Sequence, residues 1–353
     1  MPDHRDHSLK ALILAGGFAT RLRPLSCSKP KLLFPLVGVP LIDRMVSWLS
    51  EANVREIVLA VNHLSEKLRA EVAARAFGSR TVLSVEKDPL GTGGPLKLAA
   101  PLLNPSEPVI IVNGDVVTNV DVRRLLSIHN ESGAEATIAL VSVEDPRAYG
   151  LADLDSKDRI VGFEEKSSRN TGPGWVNAGI YVLNPSVISL IPEGRPVSLE
   201  REIFPVLAKR RAMGAWRHSG YWYDIGKTHD YVSANRALLT EPGFLSDEKN
   251  GLSLAGIEEP SYAAANCRIG RSVRLGPFTI LSPSVNVGPN STIRRTIVFE
   301  ESTIGADCTI DDSVIGEKVT IGDDVKIGAG SVVAGQITIR DRENIKPGSI
   351  VLN

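Results

Sequence analysis

The residues best suited to chemistry gather first near the N-terminus. Gly16-Gly17-Phe18-Ala19-Thr20-Arg21 is followed by Lys29-Pro30-Lys31. A glycine-rich turn lets backbone N–H groups approach phosphate oxygens closely. Arg21 and Lys31 would add fixed positive charge for a polyphosphate. The string is neither a Walker A loop nor the dinucleotide fingerprint. A glycine pair alone fits a plain turn with surface cations; with Lys31 the full string is more specific. Two aspartates follow at turn-like positions, Asp115 after Asn113-Gly114 and Asp224 before Ile225-Gly226. Each suits a hard cation, and each also suits a simple turn. Lys166 beside Glu164 and Glu165 reads alone as a solvated charge. His63, His129, His218 and His229 are scattered without metal-ligand spacing.

The elements that must position these residues fall into two periods. Lys10–Ala15 is a short apolar run. Leu41, Ile42, Met45, Trp48 and Leu49 recur at helical spacing. Glu56–Val61 and Thr81–Val85 read as strands, Leu64–Phe77 and Gly94–Leu103 as helices. Pro108–Val112 reads as a buried strand running into Asn113-Gly114-Asp115. This alternation predicts an α/β domain of βαβ units with a mostly parallel sheet. Ligands bind beyond the carboxyl ends of such strands, where Gly16-Gly17 and Asp115 are expected. Ser198–Pro205 reads as an amphipathic helix with Glu200, Arg201 and Glu202 as surface charges. Trp175, Trp216 and Trp222 read as packing residues.

From about residue 263 the period becomes six. Ile269, Leu275, Leu281, Val287 and Ile293 keep it, as do Ile315, Ile321, Ile327, Val333, Ile339 and Ile345. A hexapeptide repeat predicts a parallel β-helix, each aliphatic stacking on the coil below. Breaks at Ile293–Ile304 and Ile310–Ile315 predict bulged or looped coils. The expected domains are residues 1–239, a junction over 240–262, and a β-helix over 263–353.

The composition is that of a globular protein, 42% apolar and 23% charged, with net charge −1. It argues against nucleic acid as a partner. No apolar run approaches membrane-spanning length. The polar segment Met1–Ser8 lacks the apolar stretch of a signal peptide. Cys27, Cys267 and Cys308 fit neither a disulfide framework nor a metal cluster. A reducing, cytoplasmic location is expected.

The string LAGGFATRLRPLS…KPKLLFPLVGVPLID resembles the signature of the sugar-1-phosphate nucleotidyltransferases, nearest to the mannose-1-phosphate guanylyltransferases. LGTGGPLKLA (Leu90–Ala99) is similar to the family's base-binding segment, and Asn113–Asp115 to its metal loop. GFEEK, NAGIYVLNPSV, SLEREIFP and WYDIGKTHDY follow in the family's order. The resemblance implies a Rossmann-like domain with a left-handed β-helix behind it.

By the same resemblance, Ala15, Gly16, Gly17, Thr20, Glu86, Gly91, Thr92 and Asn113 bind the nucleotide. Arg21 holds the β- and γ-phosphates, and Lys31 reaches the α-phosphate. Asp115 and Asp224 share Mg²⁺. Lys166 contacts the sugar's phosphate, and Gly150, Glu165 and Asn177 the sugar ring. The nucleophile, a phosphate oxygen, is already ionised near pH 7, so no general base is required. Positioning and cationic stabilisation should dominate. Two departures stand out. Ala19 replaces the usual glycine, at a cost of about 1 kcal/mol if positive φ is needed. Ser167 replaces the usual proline.

GTP and mannose 1-phosphate are the expected substrates. A carboxylate can accept from both N1–H and the 2-amino group of guanine, and Glu86 is the candidate; a strand-end charge is the alternative. Thymidylyl or uridylyl transfer to glucose 1-phosphate is the rival within the class. A non-catalytic regulatory subunit is a further alternative, though the cations and aspartates such relatives tend to lose are present. Acyltransfer by the β-helix is disfavoured, because no histidine follows His229. Open coil ends predict a homo-oligomer assembled through the β-helix.

Overall fold

The computed structural model describes residues 9–62, 65–166, 172–242, 244–245 and 256–352. His63, Ser167, the Met1–Ser8 segment and much of the 240–262 junction lie outside them. By contact the chain forms two compact units, each drawn from two stretches of sequence. One comprises Met1–Phe18 and Asp43–Tyr223, the other Ala19–Ile42 and Asp224–Asn353.

The first unit is built on a nine-stranded sheet. Along its main path the order is Ile160–Glu165, Gly150–Leu154, Gly174–Leu183, Val109–Asn113, Lys10–Leu14, Glu56–Val61 and Arg80–Val85. The last four are parallel to one another. Each is joined to the next by a helical crossover, the connection parallel pairing requires. Beside this parallel half, Gly174–Leu183 runs antiparallel to its neighbours, so the sheet is mixed. The reason is local. Gly150–Leu154 and Ile160–Glu165 are joined by a turn far too short for a crossover and can only pair antiparallel. Leu12, Val58, Ile111 and Tyr181 belong to one buried cluster that fills the sheet's interior.

The helix expected over Gly94–Leu103 is an α-helix only over Gly93–Ala99, then a 3-10 turn over Ala100–Leu102. Pro101 lacks the N–H that would continue the α ladder. Around Glu200 the difference is larger. Leu199–Ile203 forms a π turn before the α-helix Phe204–Lys209. Glu200 is buried, not a surface charge.

The second unit contains the β-helix. Its coils form three sheets of six, five and five parallel strands, the architecture of a left-handed β-helix. Val287, Ile304, Ile321 and Ile339 stack in register. The breaks in period are not loops. Ile293 pairs with Ile310, and Val298 with Ile315, one residue short of three full hexapeptides. Both shortened steps, Ile293–Val298 and Ile310–Ile315, fall at the same corner, so successive coils stay stacked. Arg295 and Asp312 take positive φ there.

Also in this unit, Ala19–Ile42 runs through three 3-10 turns into a hairpin of Pro35–Leu36 with Val39–Pro40. Phe34 packs edge-on against Tyr231 of helix Thr228–Thr240, with centroids 5.6 Å apart. It packs likewise against Phe299 of the β-helix at 5.4 Å.

Candidate active site

In the first unit, parallel strand ends bring the predicted nucleotide residues together. Ala15 donates its N–H to Ala60 O at 2.8 Å, and Gly114 donates to Leu14 O at 2.8 Å. Gly16 leaves room for the Glu86 carboxylate rather than supplying a special φ. A Cβ there would lie 2.1 Å from Glu86 Oε1. Gly17 has open space where its Cβ would be.

Glu86 is 5% exposed and is no solvated strand-end charge. Its Oε2 accepts from Leu90 N–H at 3.2 Å. Burial raises its pKa above the usual carboxylate range, and the Leu90 bond opposes this. Asn113 ends its strand beside Gly179. A Cβ on that glycine would stand 2.7 Å from Asn113 Nδ2, and the glycine holds a φ of +75°. Asn113 Oδ1 is buried without a hydrogen-bond partner among the described residues. Asp115, two residues further on, is half-buried.

The predicted sugar side shares this unit. Gly150 is buried, and a Cβ on it would approach Glu165 Oε2 to 2.8 Å. Burial is the main influence on Glu165 and raises its pKa; Lys166, with Nζ at 3.5 Å from Oε1, opposes that. Lys166 itself is exposed and holds φ at +55°. Left-handed backbone at a non-glycine residue concentrates at ligand sites. Asn177 accepts from Gly179 N–H at 2.8 Å and donates to the Tyr181 hydroxyl at 2.8 Å.

Glu200 was missed by sequence reasoning and links these groups. Thr92 Oγ1 donates to its Oε2 at 2.6 Å, and Ser198 Oγ donates at 2.8 Å. The Tyr181 hydroxyl donates to Oε1 at 3.3 Å. Gly91, with φ of +76°, makes the turn into Thr92 against the Val197 carbonyl. One buried carboxylate thus joins the predicted base loop to the predicted sugar residues. The clue available in sequence was Ser198 two residues before it, as a helix cap.

The second unit holds Thr20, Arg21, Lys31 and Asp224. Ala19 has φ 47° and ψ 39°, so this chain places alanine in left-handed backbone. Ser26 Oγ fixes that turn by donating to Ala19 O at 2.8 Å. Arg21 and Asp224 converge on Gly226: a Cβ there would lie 2.9 Å from Arg21 Nη2 and 3.0 Å from Asp224 Oδ1. Asp224 Oδ1 also accepts from Gly226 N–H at 2.9 Å. Lys31 opens a 3-10 turn and is partly buried.

His129 and His218 sit in packing roles, while His229 is exposed. His129 is buried between Thr137 and Asn184, and His218 bonds to Asn119. No group of three His, Cys, Asp or Glu poised for a metal occurs among the described residues. The three cysteines are free thiols. Trp222 packs edge-on against Tyr149 and donates to Ala178 O. No described helix is long and apolar enough to cross a membrane.

A glycine-rich turn at a strand end is common equipment of phosphate-handling enzymes. Comparison with known proteins decides which. A family model described as nucleotidyl transferase matches residues 10–241, and one described as the GMPPB C-terminal domain matches residues 257–353. The chain belongs to the nucleotidyl transferase family. It is 38% identical over 273 residues to a mannose-1-phosphate guanyltransferase of Pichia angusta, covering 76% of this chain and 73% of that protein. It is 37% identical over 271 residues to the Yarrowia lipolytica protein of the same name, covering 76% and 73%. Among solved structures, HddC from Yersinia pseudotuberculosis superposes with a TM-score of 0.56 at 27% identity, covering 65% of this transferase and 99% of HddC. One such structure of HddC is a complex with GMP-PN.

Proposed function

We propose that this nucleotidyltransferase joins GTP to mannose 1-phosphate, giving GDP-mannose and pyrophosphate. The observation that carries this reading is the run of relatives named mannose-1-phosphate guanyltransferase at 37–38% identity over about three-quarters of the chain. Buried Glu86 supports the base: its carboxylate stands at the glycine turn, where it can accept from N1–H and the 2-amino group of guanine. The phosphate of mannose 1-phosphate attacks the α-phosphorus. The bond to the bridging oxygen breaks, and pyrophosphate leaves. Arg21 stabilises the leaving β- and γ-phosphates, and Lys31 the α-phosphate. Lys166 holds the incoming phosphate, with Gly150, Glu165 and Asn177 around the sugar. Gly17 and Thr20 line the triphosphate, while Ala15, Gly91, Thr92 and Asn113 frame the base and ribose.

Asp115 and Asp224 suit Mg²⁺. Both are carboxylates, hard oxygen donors, and Mg²⁺ takes one or two of these beside substrate phosphates. When bound, Mg²⁺ neutralises triphosphate charge. A cytoplasmic homo-oligomer assembled through the β-helix completes the reading.

The test is pyrophosphate release from four triphosphates crossed with mannose, glucose and N-acetylglucosamine 1-phosphates, with and without Mg²⁺. Mg²⁺-dependent release with GTP and mannose 1-phosphate above all other pairs is expected. Preference for dTTP or UTP with glucose 1-phosphate would overturn the substrates. No release from any pair would favour a regulatory subunit.

A further inference from the structure

We propose that the β-helix holds the phosphate-binding loop in its working shape, through the Lys29–Glu300 ion pair and the Phe34–Phe299 contact. Lys29, two residues before Lys31 in the second unit, has no role in the reading above. Its residue is 6% exposed, and its ammonium forms an ion pair with Glu300 of the β-helix. Glu300 follows Phe299, which packs on Phe34 three residues after Lys31. One coil further along the β-helix, Glu317 is 2% exposed. A Cβ on Gly335 would lie 2.6 Å from Glu317 Oε2 and 2.8 Å from Ser28 Oγ, so a larger residue there would crowd both side chains. The loop is therefore gripped on both sides of Lys31, by the ion pair at Lys29 and an aromatic contact at Phe34.

The need for such a grip is physical. The loop between Ala19 and Phe34 has only short 3-10 turns and a left-handed alanine. Short turns of this kind do not hold themselves. Yet Arg21 and Lys31 must meet a triphosphate in fixed geometry for their charge to count. An ion pair buried on the lysine side is costly to break, because the remaining charge is left without its partner. Lys29 and Glu300 are thus positioning residues that act through Arg21 and Lys31.

This inference rests on the proposed transfer reaction for its kinetic consequence, but not for its structural one. The experiment measures both on the full chain. Glu300→Gln is expected to raise amide hydrogen exchange across residues 19–34 at least tenfold. With turnover, KM for GTP is expected to rise about fivefold, while KM for mannose 1-phosphate stays within twofold. The reversed pair Lys29→Glu with Glu300→Lys should restore both readouts to within about twofold. If Glu300→Gln does not fold, the double variant Lys29→Met with Glu300→Gln removes both charges and is expected to give the same loop exchange. Unchanged exchange in a folded variant would overturn the proposal, as would equal rises in both KM values. If the wild-type enzyme turns over no pair of substrates, the transfer reading fails and loop exchange alone decides this one.

Discussion

At the scale of single residues, Glu86 carries the sharpest consequence. Its buried carboxyl favours the proton, whereas guanine recognition needs the ionised form. KM for GTP should therefore rise as pH falls through its raised pKa. Stability follows the opposite sign. The folded state binds this proton more tightly than the unfolded chain, so the contribution is full below the ordinary glutamate range and lost as pH rises through the raised value. Glu86→Gln removes that loss. Thermal unfolding without nucleotide should show the variant gaining on wild type between pH 4 and pH 8. At neutral pH it should lose about 1–3 kcal/mol of guanine binding, a five- to 150-fold rise in KM for GTP. A variant with unchanged KM would remove Glu86 from the base site and leave it with its Leu90 contact alone.

At the scale of elements, Glu200 shows what sequence periodicity cannot supply. Its neighbours Arg201 and Glu202 are charged and face outward or partly so, and an α-helical reading of Ser198–Pro205 sends Glu200 with them. In the π turn it is buried instead. There three hydroxyl donors, Thr92, Ser198 and Tyr181, converge on its two oxygens. Tyr181 is fully buried, and burial, its largest influence, raises its pKa far above the usual value, so it remains a donor. In Glu200→Gln one oxygen becomes an NH₂ that faces a donor. The expected loss is about 1–3 kcal/mol of stability, read as a shift in denaturant midpoint. Glu200→Asp should keep the acceptors and lose less. The strands of the parallel half were legible because their apolar runs are bounded by turn residues, and Glu56–Val61 matches to the residue. The antiparallel half was not, since pairing direction depends on how short the Leu154–Ile160 turn is. Gly16 was legible as special, but the Glu86 carboxylate it makes room for lies 70 residues away in the chain.

At the scale of the whole molecule, chain order and packing divide the protein differently. A change of period near residue 263 marks where coils begin, and sequence can show that. It cannot show that Ala19–Ile42 packs with the C-terminal half, because the contacts are single side chains without periodicity. Phe34, Tyr231 and Phe299 are all among the largest fully buried residues, and one comes from each of three distant stretches. Tyr231 also donates its hydroxyl to Pro35 O, and Val37 N–H donates to Asn235 Oδ1 at 2.8 Å. Ending the chain at Thr240 would therefore strip one face from this aromatic cluster and expose Phe34 and Tyr231 to water. Phe299→Ala makes the same change locally, with an expected cost of about 3–5 kcal/mol for a buried phenylalanine. Denaturant unfolding of that variant should show the full loss, and the truncated chain should be less stable still. A truncated chain as stable as the intact one, with loop 19–34 equally protected from exchange, would make the change of period a true folding boundary. It would also return residues 19–34 to the N-terminal half.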